Sequence, residues 1–119
     1  MPQANENQEL VSASLAQPGI VVGEIHGEID LNNSPQLRGQ LLEALRQWKP
    51  ARLVLKMASV PYVDSSAIAV LVEVLRELRR TGGKVFLVEL QPRVKGLLEI
   101  ARLDSIFVIA RDQAEALQM

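Results

Sequence analysis

Apolar and polar residues alternate along the first part of the chain in the pattern that strands produce. Two such runs, Glu9 to Ala16 and Ile20 to Ile29, flank Gln17-Pro18-Gly19, where proline and glycine supply turn geometry. The pattern predicts an antiparallel hairpin at the start of the fold. Residues 1–7 are polar without apolar spacing, which predicts a flexible terminus followed by one domain over residues 8–119.

Apolar residues at helical spacing follow the hairpin. Ser34 and Pro35 favour a helix start, because the serine hydroxyl can cap the helix and proline suits its first position. The apolar stripe that follows them stops before Pro50. A second helix follows Asp64-Ser65-Ser66 and ends at Gly82-Gly83. Its predicted buried stripe consists of Ile68, Leu71, Val72, Leu75 and Leu78.

Short apolar runs between the helices predict strands that are covered on both faces. These runs are Leu53 to Leu55, Val85 to Val88 and Ile106 to Ile109. A third helix opens at Pro92, and a short fourth helix covers Arg111 to Gln118. The order β-β-α-β-α-β-α-β-α predicts a single α/β domain, in which the strands after the hairpin lie parallel in a mixed sheet with helices packed on it.

Composition excludes several classes of function. The 119 residues are 48% hydrophobic and 23% charged, as in soluble single domains, and the formal charge of -1 gives no basic field to attract nucleic acid or anionic lipid. The sequence contains no signal-peptide pattern, no run of membrane-spanning length and no cysteine. We therefore expect a cytoplasmic protein without nucleic-acid binding or membrane insertion.

The stretch richest in chemistry is Asp64-Ser65-Ser66, which lies between a buried strand and a helix. In open α/β sheets this edge is where ligands bind. The same residue types are also favoured as helix caps, because their oxygens accept hydrogen bonds from unpaired amides. The cap is the more common role, and the two roles are compatible if Asp64 or Ser65 caps the helix while Ser66 faces outward.

Other candidates for catalysis or ligand binding are weak. His26 is the only histidine; its strand neighbours predict a solvated position, and no feature places a general base beside Ser65 or Ser66. His26 with Glu24 and Glu28 lacks the ligand types of a zinc site, and the glycines form no phosphate loop. We expect neither an enzyme nor a resident cofactor or metal.

Val70 and Val74 stand apart from the predicted buried stripe of the second helix. On a helical wheel Val70 lies beside Glu77, on the polar side. An apolar residue there is suited to contact with a protein partner, although a scattered surface valine is an equally good interpretation. Both valines are therefore candidate partner-binding residues.

Five short segments stand in one order and spacing along nearly the whole chain. They are Gly27-Glu28-Ile29-Asp30, Tyr62-Val63-Asp64-Ser65-Ser66, Gly82-Gly83-Lys84, Pro92-x-Val94-Lys95-x-Leu97 and Leu103-Asp104-x-Ile106-Phe107. Each segment alone is weakly specific, but the set is specific. From about Leu10 to Leu117 the chain resembles bacterial anti-sigma factor antagonists and related domains of the sulfate-transporter-and-anti-sigma-antagonist (STAS) type.

This resemblance implies roles for individual residues. Ser66, the second serine of Asp-Ser-Ser, corresponds to the residue that a kinase-type anti-sigma factor phosphorylates. Asp30 corresponds to an acidic residue that lies beside the acceptor and takes part in the encounter with the kinase. Unphosphorylated, such a protein binds the anti-sigma factor and frees a sigma factor, and a phosphatase resets the system.

Two departures from the family pattern bear on this function. Ala67 and Ala69 stand where glycine is common, and their methyl groups are expected to crowd the surface that a kinase approaches. Lys56 stands where Asp or Asn is common, and its charge is expected to offset partly those of Asp30, Asp64 and a phosphate. Partner choice is therefore expected to differ from that of other members.

The sequence thus predicts a regulator whose partners are a serine-kinase anti-sigma factor and a phosphatase. Two rival functions remain: a constitutive STAS subunit of a larger assembly such as a lipid transporter, in which Ser66 is only a cap, and a sensor of a small ligand or nucleotide. A neighbouring gene for a histidine-kinase-like ATPase favours the switch, and permease genes favour the subunit. The predicted partner surface comprises Asp30, Asp64, Ser65, Ser66, Ala67, Val70 and Val74.

Overall fold

Strands and helices follow one another in the predicted order in the computed structural model, which describes residues 10–119. The α/β class and element order are thus confirmed, while the expected flexible residues 1–7 lie outside the described part. No helix of that part is long and apolar enough to cross a membrane. The strands are β1 Val11–Gln17, β2 Ile20–His26, β3 Arg52–Ser59, β4 Lys84–Val88 and β5 Val108–Ala110, and the helices are α1 Ser34–Trp48, α2 Ser65–Arg79, α3 Pro92–Ile100 and α4 Gln113–Gln118.

The strands form one mixed sheet in the order β1-β2-β3-β4-β5. β1 and β2 are antiparallel, and each later neighbouring pair is parallel. Gly19 occupies the hairpin turn with a positive φ of 82°, a conformation that glycine adopts without steric cost. Because these strands are parallel, the C-terminal ends of β2, β3, β4 and β5 lie at one edge of the sheet.

Each face of the sheet carries its own apolar core. Alternate residues of β3, namely Leu53, Leu55 and Met57, belong to the larger core, to which α1, α2 and α3 also contribute. Val54 belongs to the smaller core on the opposite face, together with Ala116 of α4. Covering on both faces explains why the central strands are apolar at nearly every position.

The start of α1 differs from the prediction. Ser34 is the first helical residue and is 5% exposed, so it does not occupy the cap position. Asn33 occupies that position without a capping bond from its side chain. Its Oδ1 atom instead accepts the Asp30 amide at 2.8 Å, and its Nδ2 atom donates to the Glu28 carbonyl at 2.9 Å. These bonds tie the helix start to the segment after β2.

The buried face of α2 is rotated from the predicted stripe. Val70 and Val74, expected to face a partner, are 7% and 0% exposed, and Ala67 is also fully buried. The cause is that residues spaced by three and four from Ala67 onward form one continuous face, which packs against α1 and the sheet. Ile68 and Val72 lie at the margin of this face and are half-buried. The face consists of Ala67, Val70, Leu71, Val74, Leu75 and Leu78.

Candidate functional site

Two loops meet at the edge of the sheet where the parallel strands end. β2 stops at His26, short of the predicted Ile29, because Gly27 turns the backbone with a positive φ of 84°. Ile29 then donates its N–H to the Tyr62 carbonyl at 3.1 Å, and Asp64 donates its N–H to the Ile29 carbonyl at 3.1 Å. This parallel bridge holds the loop after β2 against the residues that precede α2.

The Asp64 carboxylate caps the N-terminus of α2. Its Oδ1 atom accepts hydrogen bonds from the amides of Ser66 and Ala67 at 2.9 and 3.1 Å. The Ser66 hydroxyl donates a third hydrogen bond to the same atom at 2.6 Å. Of the two predicted cap residues, the structure therefore selects Asp64 and leaves Ser65 exposed.

Hydrogen bonding holds the pKa of Asp64 below its ordinary value. The largest contribution comes from the Ser66 hydroxyl, and the backbone amides of Ala67, Ser66 and Leu31 add to it, while desolvation opposes it. Each of these donors favours the charged form of the carboxylate. Asp64 is therefore ionised at neutral pH, where it accepts the Ser66 hydroxyl and orients it.

The turn that begins at Asp30 is closed by its own polar groups. The Asp30 carboxylate accepts the Asn32 amide at 2.9 Å, and the Asn33 side chain accepts the Asp30 amide at 2.8 Å. The Asn33 amide also donates to the Asp30 carbonyl at 3.1 Å. The turn lies directly beside the helix cap, because the amide of Leu31 is one of the groups that lower the pKa of Asp64.

α3 supports the same edge from the other side. The guanidinium of Arg93 lies over the Tyr62 ring, with 4.6 Å between its central carbon and the ring centroid, in the geometry of a cation–π contact. The Gln91 side chain donates to the Ala58 carbonyl at 2.7 Å. These contacts join the start of α3 to the end of β3 and to the segment between β3 and α2, so the backbone before the cap is held from the α3 side as well.

The structure brings four of the predicted partner-binding residues together at this edge. Three of them are half-buried, and Ser65 is exposed. The predicted contribution of Ala67, Val70 and Val74 to the partner surface is wrong, because all three lie in the buried face of α2. The four residues that meet at the edge are Asp30, Asp64, Ser65 and Ser66.

The residues that depart from the family pattern lie in three different environments. The methyl group of Ala67 is buried, so only Ala69, which is exposed, adds an atom to the surface. Lys56 lies between two residues of the larger core, and its side chain therefore extends from the sheet face opposite α2. Among the described residues no ion pair joins Lys56 to either aspartate, and the partial offset of charge stays a prediction.

Leu31 is the residue at this edge that sequence reasoning missed. It is 74% exposed, although leucine is usually buried. A usable signal was its position as the single apolar residue of Asp30-Leu31-Asn32-Asn33. Asp and Asn close turns through their side chains, so an apolar residue among them has no strand or helix neighbour to cover it.

A comparison with known protein families identifies the family of this domain. The sequence model of the STAS domain matches residues 13–116. The chain belongs to the STAS domain family. The matched range contains both loops of the candidate site, so the bridge between Ile29 and Val63 and the Asp64 cap are features of this STAS domain.

Curated relatives of this STAS domain include whole regulators and one much larger protein. BtrV of Bordetella bronchiseptica, named as an anti-sigma factor antagonist, is 29% identical over 98 residues, which cover 82% of this chain and 84% of BtrV. The anti-sigma-B factor antagonist of Bacillus subtilis is 34% identical over 86 residues, 72% of this chain and 77% of that protein. YvdB of Bacillus subtilis, named as a sulfate transporter, is 34% identical over 94 residues, 79% of this chain but 18% of YvdB.

Solved structures share the fold of this STAS domain. A Thermotoga maritima protein named as an anti-sigma factor antagonist superposes with a TM-score of 0.84 at 20% identity, covering 91% of this chain and 92% of its own. The antagonist SpoIIAA gives a TM-score of 0.70 in its unphosphorylated form, at 18% identity with 91% and 94% covered. The phosphorylated form of SpoIIAA from Bacillus gives the same TM-score at 20% identity, with 91% and 96% covered.

Proposed function

We propose that this STAS domain is an anti-sigma factor antagonist, which binds a kinase-type anti-sigma factor while Ser66 is unphosphorylated and dissociates once Ser66 carries a phosphate. The observation that carries the proposal is the Ser66 hydroxyl, held 2.6 Å from Asp64 at the first turn of α2. The names of the Bacillus and Bordetella relatives support it. Binding of the antagonist would free the sigma factor for transcription.

Phosphorylation requires an accessible and oriented hydroxyl. The Ser66 Oγ atom forms a bond to the γ-phosphorus of ATP held by the kinase, the bond from that phosphorus to the oxygen of ADP breaks, and the hydroxyl proton is released. Asp64 sets the direction of the hydroxyl through its hydrogen bond. In this scheme the base that takes the proton belongs to the kinase. This chain supplies a positioned acceptor, and its partner supplies the catalysis.

The phosphate would change the charge of the surface more than its backbone. It adds about -1.5 to -2 charges beside the carboxylates of Asp64 and Asp30, and it removes the hydroxyl donor from Asp64. The amides of the first helical turn favour negative charge, so α2 persists. Affinity for the anti-sigma factor is lost through repulsion and desolvation, and a phosphatase restores it by removing the phosphate.

We further propose that the chain has no catalytic activity of its own and acts in the cytoplasm. The imidazole of His26 is the one candidate for a serine-activating base, and its Nε2 atom lies 3.1 Å from the hydroxyl of Ser12 on β1. The Ser66 hydroxyl donates its hydrogen bond to the Asp64 carboxylate instead. ATP is the kinase's ligand in this scheme.

A constitutive subunit is the second candidate function. It is favoured by the likeness to YvdB, in which a region like this chain is a small part of a much larger protein. In that case the hydroxyl of Ser66 serves only to support the Asp64 cap, and no kinase acts on it. The two functions differ in whether ATP and an anti-sigma factor modify the chain.

Intact-mass measurement separates the two functions. Wild type, Ser66→Ala and Ser65→Ala are each incubated with ATP and with each purified histidine-kinase-like anti-sigma factor of the organism that encodes the chain. The switch predicts one phosphate on wild type and on Ser65→Ala, and none on Ser66→Ala. No phosphate on wild type with any of the kinases favours the subunit, and equal modification of Ser66→Ala moves the acceptor elsewhere.

A further inference from the structure

The described part of the chain exposes four large apolar side chains, and one of them lies at the Ser66 edge. Leu31 is 74% exposed there, two residues after Ile29, whose carbonyl accepts the Asp64 amide. Ile100 ends α3, and Leu15 lies on β1 near the hairpin turn, at the opposite end of the strands. The exposed fractions are 47% for Leu15, 74% for Leu31, 82% for Ile100 and 54% for Met119.

The backbone around Leu31 is closed by hydrogen bonds within the turn, without any partner. Asp30 and Asn33 bond each other through a side chain and through the backbone, and the Asp30 carboxylate also fixes the Asn32 amide. The Asn33 side chain is tied to the Glu28 carbonyl at 2.9 Å as well. A partner that covers Leu31 therefore does not have to order this loop, which removes one of the usual costs of association.

Leu31 and the Ser66 hydroxyl share a neighbour. The Asp64 amide donates to the carbonyl of Ile29, two residues before Leu31, at 3.1 Å, and the Asp64 carboxylate accepts the Ser66 hydroxyl at 2.6 Å. For phosphoryl transfer, the partner must bring its ATP against Ser66 Oγ, and this contact covers the turn beside it. Leu31 stands between Asp30 and Asn32 in the turn that is bridged to the residues before α2. An exposed apolar side chain with polar residues on both sides is suited to be an interface anchor, in which a buried apolar centre is surrounded by polar groups.

We propose that Leu31 is the apolar anchor of this surface and inserts into an apolar recess of the kinase-type anti-sigma factor, next to the site where ATP meets Ser66. The inference rests on the proposed function and adds a residue that decides partner affinity. The occupant is the anti-sigma factor because it is the molecule whose nucleotide must reach this edge. A recess lined by charged groups in another kinase would reject Leu31, so the same residue also contributes to partner choice.

The test compares three variants in calorimetric titration with the purified anti-sigma factor that phosphorylates or binds wild type. Leu31→Ser removes the apolar surface and is expected to weaken affinity by about tenfold or more, as for a residue at the centre of an interface. Leu31→Met keeps an apolar side chain of similar size and is expected to stay within about threefold of wild type. Ile100→Ser removes a comparably exposed apolar residue at the last position of α3, the end of that helix that does not contact Tyr62, and is expected to bind as wild type does.

The outcomes separate the anchor from the proposed function. Normal affinity of Leu31→Ser for a partner that binds wild type overturns the anchor and leaves the switch intact. Equal weakening by Leu31→Ser and Ile100→Ser also overturns it, since the effect then follows general loss of apolar surface. If no anti-sigma factor of the organism binds wild type, both the proposed function and the anchor are wrong. Melting curves of each variant establish that a loss of affinity is not a loss of folding.

Discussion

The hydroxyl of Ser66 lies 2.6 Å from the Oδ1 atom of Asp64, and this same atom caps α2 by accepting the amides of Ser66 and Ala67. The proposed phosphate acceptor therefore donates its hydrogen bond to the same oxygen that caps the helix. A phosphate on Ser66 would take away one donor from that oxygen and place negative charge beside it. The unphosphorylated state is thus the one in which the cap has all of its donors.

The cap predicts a pH-dependent contribution of Asp64 to stability. Asp64→Ala is expected to lower the melting temperature at pH 7 by a few degrees, because the amides of Ser66 and Ala67 lose their acceptor. The pKa of Asp64 is lower in the folded chain than the ordinary carboxyl value of about 3.9. Its charge therefore stabilises the fold fully above that value, and the contribution is lost as pH falls through the lower folded pKa.

Thermal unfolding of wild type, Asp64→Ala and Asp64→Asn between pH 7 and pH 2.5 checks this prediction. The difference between wild type and Asp64→Ala is expected to shrink on acidification. Asp64→Asn keeps an oxygen that can accept both amides and is expected to melt between the other two at pH 7. A difference that grows as the pH falls would contradict the assigned direction of the pKa shift.

The buried face of α2 predicts opposite results for arginine at two nearby positions. Val74 is fully buried, so Val74→Arg places an unpaired charge in the larger core and is expected to destabilise by about 3 kcal/mol or more, or to prevent folding. Ala69 lies on the exposed side of the same helix, so Ala69→Arg is expected to change stability by less than about 0.5 kcal/mol. Urea titration measures both. Similar stability of the two variants would show that the rotation of α2 about its axis is not as described.

Two glycines predict stability changes of opposite sign. A Cβ atom at Gly83 would lie 2.7 Å from a Leu78 side-chain carbon and 2.9 Å from the Ala51 carbonyl oxygen, so Gly83→Ala is expected to cost about 1 to 3 kcal/mol. Gly39 lies within α1 with nothing within 4 Å of its Cβ position, so Gly39→Ala is expected to stabilise by about 0.4 to 1 kcal/mol. Chemical denaturation of both variants at one pH measures these changes in the free energy of unfolding. Destabilisation by Gly39→Ala would contradict the placement of Gly39 inside α1 with free space beside it.

Long helices and strands with a clear apolar period could be predicted from the sequence. The residues at which they begin and end could not always be predicted, because these depend on contacts with distant parts of the chain. Ile106 and Phe107 have strand-like side chains, but their amides bond the Leu103 carbonyl in a turn, and β5 begins only at Val108. Pairing of β5 with β4 decides this boundary, and no local pattern encodes it. The buried face of α2 could have been predicted from the sequence. Apolar residues recur every three or four positions from Ala67 to Leu78, and this series is the face that the structure buries.

The candidate site divides in the same way. The Asp64 cap follows from local chemistry, since aspartate before a helix accepts the first free amides. The approach of Asp30 to Asp64 does not, because it depends on the bridge between Ile29 and Val63, which joins distant parts of the chain. Family resemblance supplied that relationship before the structure did. Leu31 was missed, although its position as the single apolar residue among turn-forming Asp and Asn residues was a usable signal.

The central claim is that phosphate on Ser66 abolishes binding without unfolding the domain. Ser66→Ala removes the hydroxyl but leaves the Asp64 oxygen to cap both amides, so it is expected to bind the anti-sigma factor as wild type does. Ser66→Asp is expected to melt within a few degrees of wild type and to lose much of its affinity, as a partial mimic of the phosphate. Ser65→Ala, at the neighbouring exposed hydroxyl, serves as the matched control for both.

The most direct measurement is the affinity of one preparation of wild type for its anti-sigma factor before and after stoichiometric phosphorylation, with the melting temperature recorded for both forms. We expect the phosphorylated form to bind at least about a hundredfold more weakly, which corresponds to about 2.7 kcal/mol, and to keep its melting temperature within a few degrees. Unchanged affinity after phosphorylation at Ser66, or loss of affinity that accompanies unfolding, would contradict the account.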